Sequence, residues 1–166
     1  MRAATLADVE LLRDIERAAD ERFREIGRDL VADGEPAPYE TVAAAVGRGR
    51  AWVEVGDAGA PVAYALADVL DGRAFLEQLS VLPEHGRQGI GAALVDVVAG
   101  WALAGGHAEL TLTTFADVPW NAPYYRRLGF EVVPEARWSA GLRERHVAES
   151  AYFRPWPRIV MARPLR

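Results

Sequence analysis

The stretch Phe75-Leu76-Glu77-Gln78-Leu79-Ser80-Val81-Leu82-Pro83-Glu84-His85-Gly86-Arg87-Gln88-Gly89-Ile90-Gly91-Ala92 decides how this chain is read. Its first seven residues suit a β-strand, and Pro83 closes it. A Gly-rich turn follows. From Gly89 to about Ala104 the pattern becomes helical, with Ile90, Leu94, Val97, Val98 and Trp101 expected on one face. A strand that runs through a Gly-rich turn into a helix leaves the first backbone N–H groups of that helix unpaired. The helix dipole adds partial positive charge there. Such a turn is an anion site suited to a pyrophosphate, and Gly89 and Gly91 let a ligand approach the backbone closely. The dinucleotide fingerprint G-x-G-x-x-G would need a third glycine where Leu94 stands, so a Rossmann site is not expected.

Working outward, the stretch is preceded by an antiparallel meander. Residues 51–55 and 61–69 read as strands, joined by a turn at 57–60. Asp71-Gly72 makes a tight turn into the strand 73–81. After the helix, Gly105-Gly106 stops it and His107–Thr113 alternates as a strand, giving a parallel crossover. A short helix near 123–128 and a strand at 130–133 follow. Upstream, residues 2–4 suit a short strand. Thr5-Leu6-Ala7-Asp8 resembles a capping box, with Asp in place of Glu. Leu11, Leu12, Ile15, Ala18 and Ala19 recur at helical spacing behind it, and the helical tendency runs to Gly27. A loop at 33–38 and a helix at 40–46 complete the N-terminal part. The tail predicts a polar helix at 142–150 and a last strand at 158–162. The order predicts an α/β (α+β type) fold, one domain over residues 1–166, with a central mixed, mostly antiparallel sheet flanked by helices.

Composition narrows the chemistry. The 166 residues carry a formal charge of −5, with 19 cations that are all arginine. The chain has no cysteine and no lysine. Thiolate nucleophiles, disulfides and Cys-ligated metal sites are excluded, as are a Schiff base and a Walker-A loop. The acidic balance argues against nucleic acid as the main partner. The nearly uncharged run 89–106 is interrupted by Asp96, which is costly in a bilayer, so a buried helix is expected rather than a membrane span. No secretory signal is visible, and a cytoplasmic location is expected. His85, His107 and His146 are too scattered for metal-ligand spacing, and no metal is expected. Trp120 suits either a pocket wall or loop packing. Asp20, Glu21 and Glu25 read as a solvated helix face.

Val81-x-Pro83 followed by Gly89-Ile90-Gly91 and an apolar helix resembles the acetyl-CoA motif of the GNAT superfamily of N-acetyltransferases. Asn121-Ala122-Pro123-Tyr124-Tyr125-Arg126-Arg127-Leu128-Gly129-Phe130 is similar to its second signature, an aromatic-Tyr pair on a helix ending in Gly-Phe. The resemblance covers roughly residues 2–135, with a helix and strand added over 136–166. The leading Arg or Gln of the family motif falls at Gly86, with Arg87 and Gln88 beside it. The Asn that often precedes the family Tyr by seven residues falls at Val118, and Asn121 lies closer to the Tyr.

The resemblance implies acetyl-CoA as co-substrate. Arg87, Gln88, Gly89, Ile90, Gly91 and Ala92 would hold its pyrophosphate. The backbone of Leu79, Ser80 and Val81 would pair with pantetheine, as an added strand does. Asn121 is a further contact. Tyr125, four residues before Gly129, aligns with the family's general acid. Glu77 shares a strand face with Phe75, Leu79 and Val81 and is the expected base, directly or through a water; the stretch 75–91 is similar to that of diamine acetyltransferases, where a Glu here assists proton removal. Without cysteine, transfer of the acetyl group is direct, inside a ternary complex, to a primary amine of a small molecule. The alternatives are a non-catalytic acyl-CoA-binding domain and a protein or peptide N-acetyltransferase. The tail helix suits either a cover over the acceptor pocket or a dimer contact, so monomer and homodimer both stay open.

Overall fold

The computed structural model describes residues 1–166. Seven strands form one mixed sheet flanked by helices: β1 Arg2–Ala3, β2 Ala51–Val55, β3 Pro61–Leu70, β4 Arg73–Val81, β5 Glu109–Phe115, β6 Glu131–Val132 and β7 Arg158–Pro164. Their spatial order is β1-β2-β3-β4-β5-β7-β6. The helices are α1 Val9–Asp20, α2 Asp29–Ala32, α3 Tyr39–Gly47, α4 Ile90–Ala104, α5 Ala122–Arg127 and α6 Ala140–Tyr152. The chain divides into two compact units, Met1–Asp68 with Leu76–Val98, and Val69–Phe75 with Ala99–Arg166.

In the first unit β1 pairs antiparallel with β2, Arg2 opposite Val53. β2 pairs antiparallel with β3, with Val53 opposite Tyr64. Pro61 through Ala67 are all buried, the burial of a strand covered on both faces. Val9, Leu12 and Ile15 of α1 pack with Val42, Ala51, Val53, Tyr64 and Leu66. Asp8 carries the N-terminal cap. Its Oδ2 accepts the Thr5 N–H at 2.7 Å and the Thr5 hydroxyl at 2.9 Å, and Arg2 donates to both carboxylate oxygens. The Arg2 guanidinium holds the Asp8 carboxyl well below the usual range.

The expected single helix behind Thr5 is instead three pieces. A 3₁₀ turn at Leu6–Asp8 precedes α1, and a second 3₁₀ segment at Glu21–Ile26 follows it. In that second segment Phe23 alone is buried. It has no apolar stripe to hold an α-turn against the sheet, and the backbone tightens. Gly27 ends it at φ 71°. Leu11, expected on the apolar face, is 37% exposed, and Glu16 takes an inward position instead. The loop expected from 33 is preceded by the one-turn helix α2.

In the second unit Asp71 and Gly72 both adopt positive φ, 49° and 75°, as a two-residue hairpin turn requires. β5 runs parallel to β4 at Ala74–Leu110 and Phe75–Thr111. β7 pairs antiparallel with β5 from Glu109–Pro164 to Phe115–Arg158. β6 pairs with the outer side of β7, Glu131 opposite Ala162. Phe75, Val133, Leu142, Val160 and Ala162 form one core, against which Leu70 and Trp138 pack. α6 is held within this unit. Ser139 caps it, Gly141 N–H donates to Asp71 Oδ2 at 2.6 Å, and the His146 ring lies 4.5 Å from that of Trp138.

The inner face of α4 differs from the one expected. Leu94, Val95, Val98, Ala99 and Ala102 are buried, while Ile90, Val97 and Trp101 are only partly so. An α-helix nearly devoid of polar residues carries no charge pattern to orient it, so the neighbouring packing sets its rotation. No helix is long and apolar enough to cross a membrane.

Candidate functional site

The Gly-rich turn is built as its sequence dictates. β4 ends at Val81, and a 3₁₀ turn at Pro83–His85 begins on the proline. Arg87 then adopts φ 60° and Gly89 φ 80°. The left-handed position at 89 favours glycine, and a Cβ at Gly86 would lie 3.1 Å from the Pro83 carbonyl oxygen. Ala93 N–H bonds back to Gly89 O at 3.0 Å. The N–H groups of Ile90, Gly91 and Ala92 precede that first rung and point along the helix axis. Gly86 through Gly89 are exposed. The turn therefore presents consecutive donors at the positive end of a 15-residue helix. Gln88 Nε2 donates weakly to Glu84 O at 3.4 Å, and both lie at the surface.

On β4, Leu82 N–H donates to Val62 O at 2.9 Å. Backbone groups alternate sides along a strand, so Ser80 also faces β3 while Leu79 and Val81 direct theirs to the opposite edge. Leu79 and Val81 are half-buried. The Ser80 side chain is 3% exposed and turned inward; its Oγ accepts from Gln78 Nε2 at 3.0 Å. Glu77, one position before Gln78, is half-buried on the alternate face.

In the second unit Asn121 precedes α5, and Tyr125 N–H bonds to its carbonyl at 3.0 Å. The Asn121 Oδ1 is buried with no hydrogen-bond partner in the chain, an acceptor left over for a donor group. The Tyr125 ring meets Tyr124 edge-on at 5.4 Å and Phe130 at 5.6 Å. Phe130 N–H closes the turn on Tyr125 O at 3.1 Å, past Gly129 at φ 86°. Burial, more than the neighbouring Tyr124, pushes the Tyr125 phenol up, and Arg158 opposes the rise. At neutral pH this phenol holds its proton. Glu77, Leu79–Val81 and the Gly-rich turn thus belong to the first unit, and Asn121 and Tyr125 to the second.

One group of polar residues was not anticipated. The Tyr64 hydroxyl donates to Glu16 Oε2 at 2.7 Å, and Ala37 N–H reaches the same oxygen at 3.4 Å. Burial raises the Glu16 carboxyl, against the Tyr64 and Ala37 hydrogen bonds and the fields of Arg13 and Arg17. Asp20, one turn on, is pushed up to about 7 by burial and by Glu16. The expectation of a solvated face holds for Glu21 and Glu25, which are exposed, and fails for Asp20. The signal was present in the sequence: Val9, Leu12 and Glu16 stand at i, i+3 and i+7, so Glu16 lies on the buried stripe.

The model of the acetyltransferase (GNAT) family matches residues 11–130, and the chain belongs to that family. Solved structures share its fold. Rv2747 from Mycobacterium tuberculosis, in complex with CoA, is 17% identical, with 99% of this chain and 98% of that one covered at a TM-score of 0.74. The PaiA N-acetyltransferase from Thermoplasma acidophilum, in complex with coenzyme A, is 15% identical over 98% and 96% of the chains, TM-score 0.68. The ribosomal-protein-S18-alanine N-acetyltransferase from Escherichia coli is 22% identical over 98% and 91%, TM-score 0.65.

Proposed function

We propose that this protein is an acetyl-CoA-dependent N-acetyltransferase that moves an acetyl group directly to a primary amine of a small molecule in a ternary complex. The observation that carries the reading is the Gly-rich turn, where positive φ at Arg87 and Gly89 exposes backbone donors at the start of α4. The N–H groups from Arg87 to Ala92 hold the pyrophosphate without any lysine. The backbone of Leu79 and Val81, directed away from β3, pairs with the pantetheine arm. Asn121 Oδ1 accepts from the same ligand.

In the transfer, Glu77 takes the proton of the acceptor ammonium, directly or through a water, and the free amine attacks the thioester carbonyl. The C–N bond forms and the C–S bond breaks. Tyr125 gives its phenolic proton to the departing thiolate, and its phenolate takes the second proton, which the attacking nitrogen loses as the amide forms; Glu77 returns its proton to solvent. The Tyr125 phenol is protonated at neutral pH and so has a proton to give. The test is thiol release from acetyl-CoA across a panel of small amines and peptide N-termini. Turnover with small amines is the expected result. Turnover with peptides alone overturns the acceptor class, and tight CoA binding with no turnover on any acceptor points to a non-catalytic domain.

A further inference from the structure

Apart from glycines, two residues of this chain stand at positive φ: Asp71 at 49° and Arg87 at 60°. Asp is one of the few residue types that tolerate the left-handed region. Its carboxylate is also engaged, with Oδ2 accepting the Gly141 N–H at 2.6 Å. Neither holds for Arg87. Arginine has no local hydrogen bond to offer that would favour a left-handed backbone. Its side chain is exposed and makes no hydrogen bond or ion pair within the chain. Elsewhere in the first unit Arg2, Arg13, Arg17, Arg24 and Arg50 each reach a carboxylate at 2.7–3.0 Å. Arg87 is left without one in a chain of net charge −5. The charge that shares its field is a second guanidinium, that of Arg22.

Stability gives no reason for an arginine at this place. Glycine would adopt φ 60° without a Cβ clash and keep the same backbone N–H donor. Strain of this kind persists where it serves a site. What the arginine adds is a fixed cation at the edge of an anion-binding turn, with no acid of the chain to neutralise it. The turn also separates the tasks of backbone and side chain. Consecutive N–H groups line the concavity that takes the pyrophosphate. Side chains stand on the rim of such a concavity, because the Cα–Cβ bond diverges from the N–H of the same residue. CoA carries one further anionic group, the 3′-phosphate on its ribose.

We propose that the Arg87 guanidinium binds the 3′-phosphate of CoA from the rim of the turn, while the backbone N–H groups hold the pyrophosphate. The proposal rests on the CoA-binding reading above. Calorimetric titration of CoA and of 3′-dephospho-CoA into the full chain tests it, with Arg87→Ala, Arg87→Gly and Arg87→Lys. Wild type should bind CoA about tenfold more tightly than dephospho-CoA, the scale of one charge-assisted hydrogen bond. Arg87→Ala and Arg87→Gly should each raise Kd for CoA about tenfold and leave Kd for dephospho-CoA within about twofold. Arg87→Lys keeps the charge and should bind CoA within about threefold of wild type. Arg87→Gly also relieves the left-handed strain, so its melting temperature should rise by about 2–4 °C. Folding and CoA affinity then move in opposite directions, which an arginine that merely holds the turn could not produce. A lower melting temperature for Arg87→Gly with unchanged Kd would overturn the proposal. Equal losses for CoA and dephospho-CoA would place the guanidinium on the pyrophosphate and overturn the 3′-phosphate assignment. Equal binding of the two ligands by wild type refutes that assignment alone. A wild-type chain that binds neither refutes the proposed function and the role of Arg87 with it.

Discussion

Asp20→Asn offers a direct measure of the buried acid pair. Burial and the neighbouring Glu16 carboxyl move Asp20 from its ordinary 3.8 to about 7 in the folded protein. Between those values the unfolded chain has lost a proton that the folded chain keeps. The folded state therefore binds more protons, and stability falls as pH rises from about 4 through about 7. A displacement of that size corresponds to about 4 kcal/mol at most, taking roughly 1.4 kcal/mol for each tenfold change. Asp20 is partly solvated, so about 2 kcal/mol is the working figure after screening. Asparagine has the shape of the protonated acid and never ionises. At pH 3, below both values, the variant should melt close to wild type. At pH 8.5 it should be more stable by about 2 kcal/mol, a rise of roughly 4–8 °C for a chain of this size. Differential scanning calorimetry at the two pH values reads the result directly. An equal shift at both pH values, or a lower melting temperature at pH 8.5, would refute the assignment of Asp20 to a buried, protonated state.

Other substitutions probe the remaining parts. Asp8→Asn removes a carboxylate held low by Arg2 and Thr5; it should cost about 1–3 kcal/mol at pH 7. The difference should vanish as pH falls below the ordinary carboxylate range, as followed by urea unfolding. Tyr125→Phe should keep CoA affinity and lower turnover by about 10²–10⁴-fold, the usual weight of a general acid; unchanged kcat would remove Tyr125 from the mechanism. Glu77→Gln should lower turnover and displace the acidic limb of its pH profile, and an intact profile would count against Glu77 as the base. Gly89→Ala forces a Cβ into the left-handed region at a cost of about 1–2 kcal/mol. It should weaken CoA binding more than it lowers the melting temperature, as titration and calorimetry on one preparation would show.

Much of this molecule is legible one segment at a time. The Asp71-Gly72 turn, the Thr5–Asp8 cap, the strand ending at Pro83 and the left-handed Gly89 are local preferences, each set by the backbone freedom or hydrogen-bonding capacity of a few adjacent residues. The two motifs that resemble the family lie in such segments, and the family match over residues 11–130 bears them out. Absent lysine and cysteine likewise exclude any acyl intermediate on a thiol or a lysine amine.

Tertiary structure decided the rest, because burial and long-range pairing belong to no single segment. The position of β7 between β5 and β6 depends on which strands meet across the sheet. The inner face of α4 depends on its neighbours, since its own residues are almost uniformly apolar. Asp20 reads as solvated on a helix with charged neighbours, and is instead pushed up by burial beside Glu16. The Tyr64–Glu16 hydrogen bond joins residues 48 positions apart in sequence, and only packing α1 against β3 brings them together.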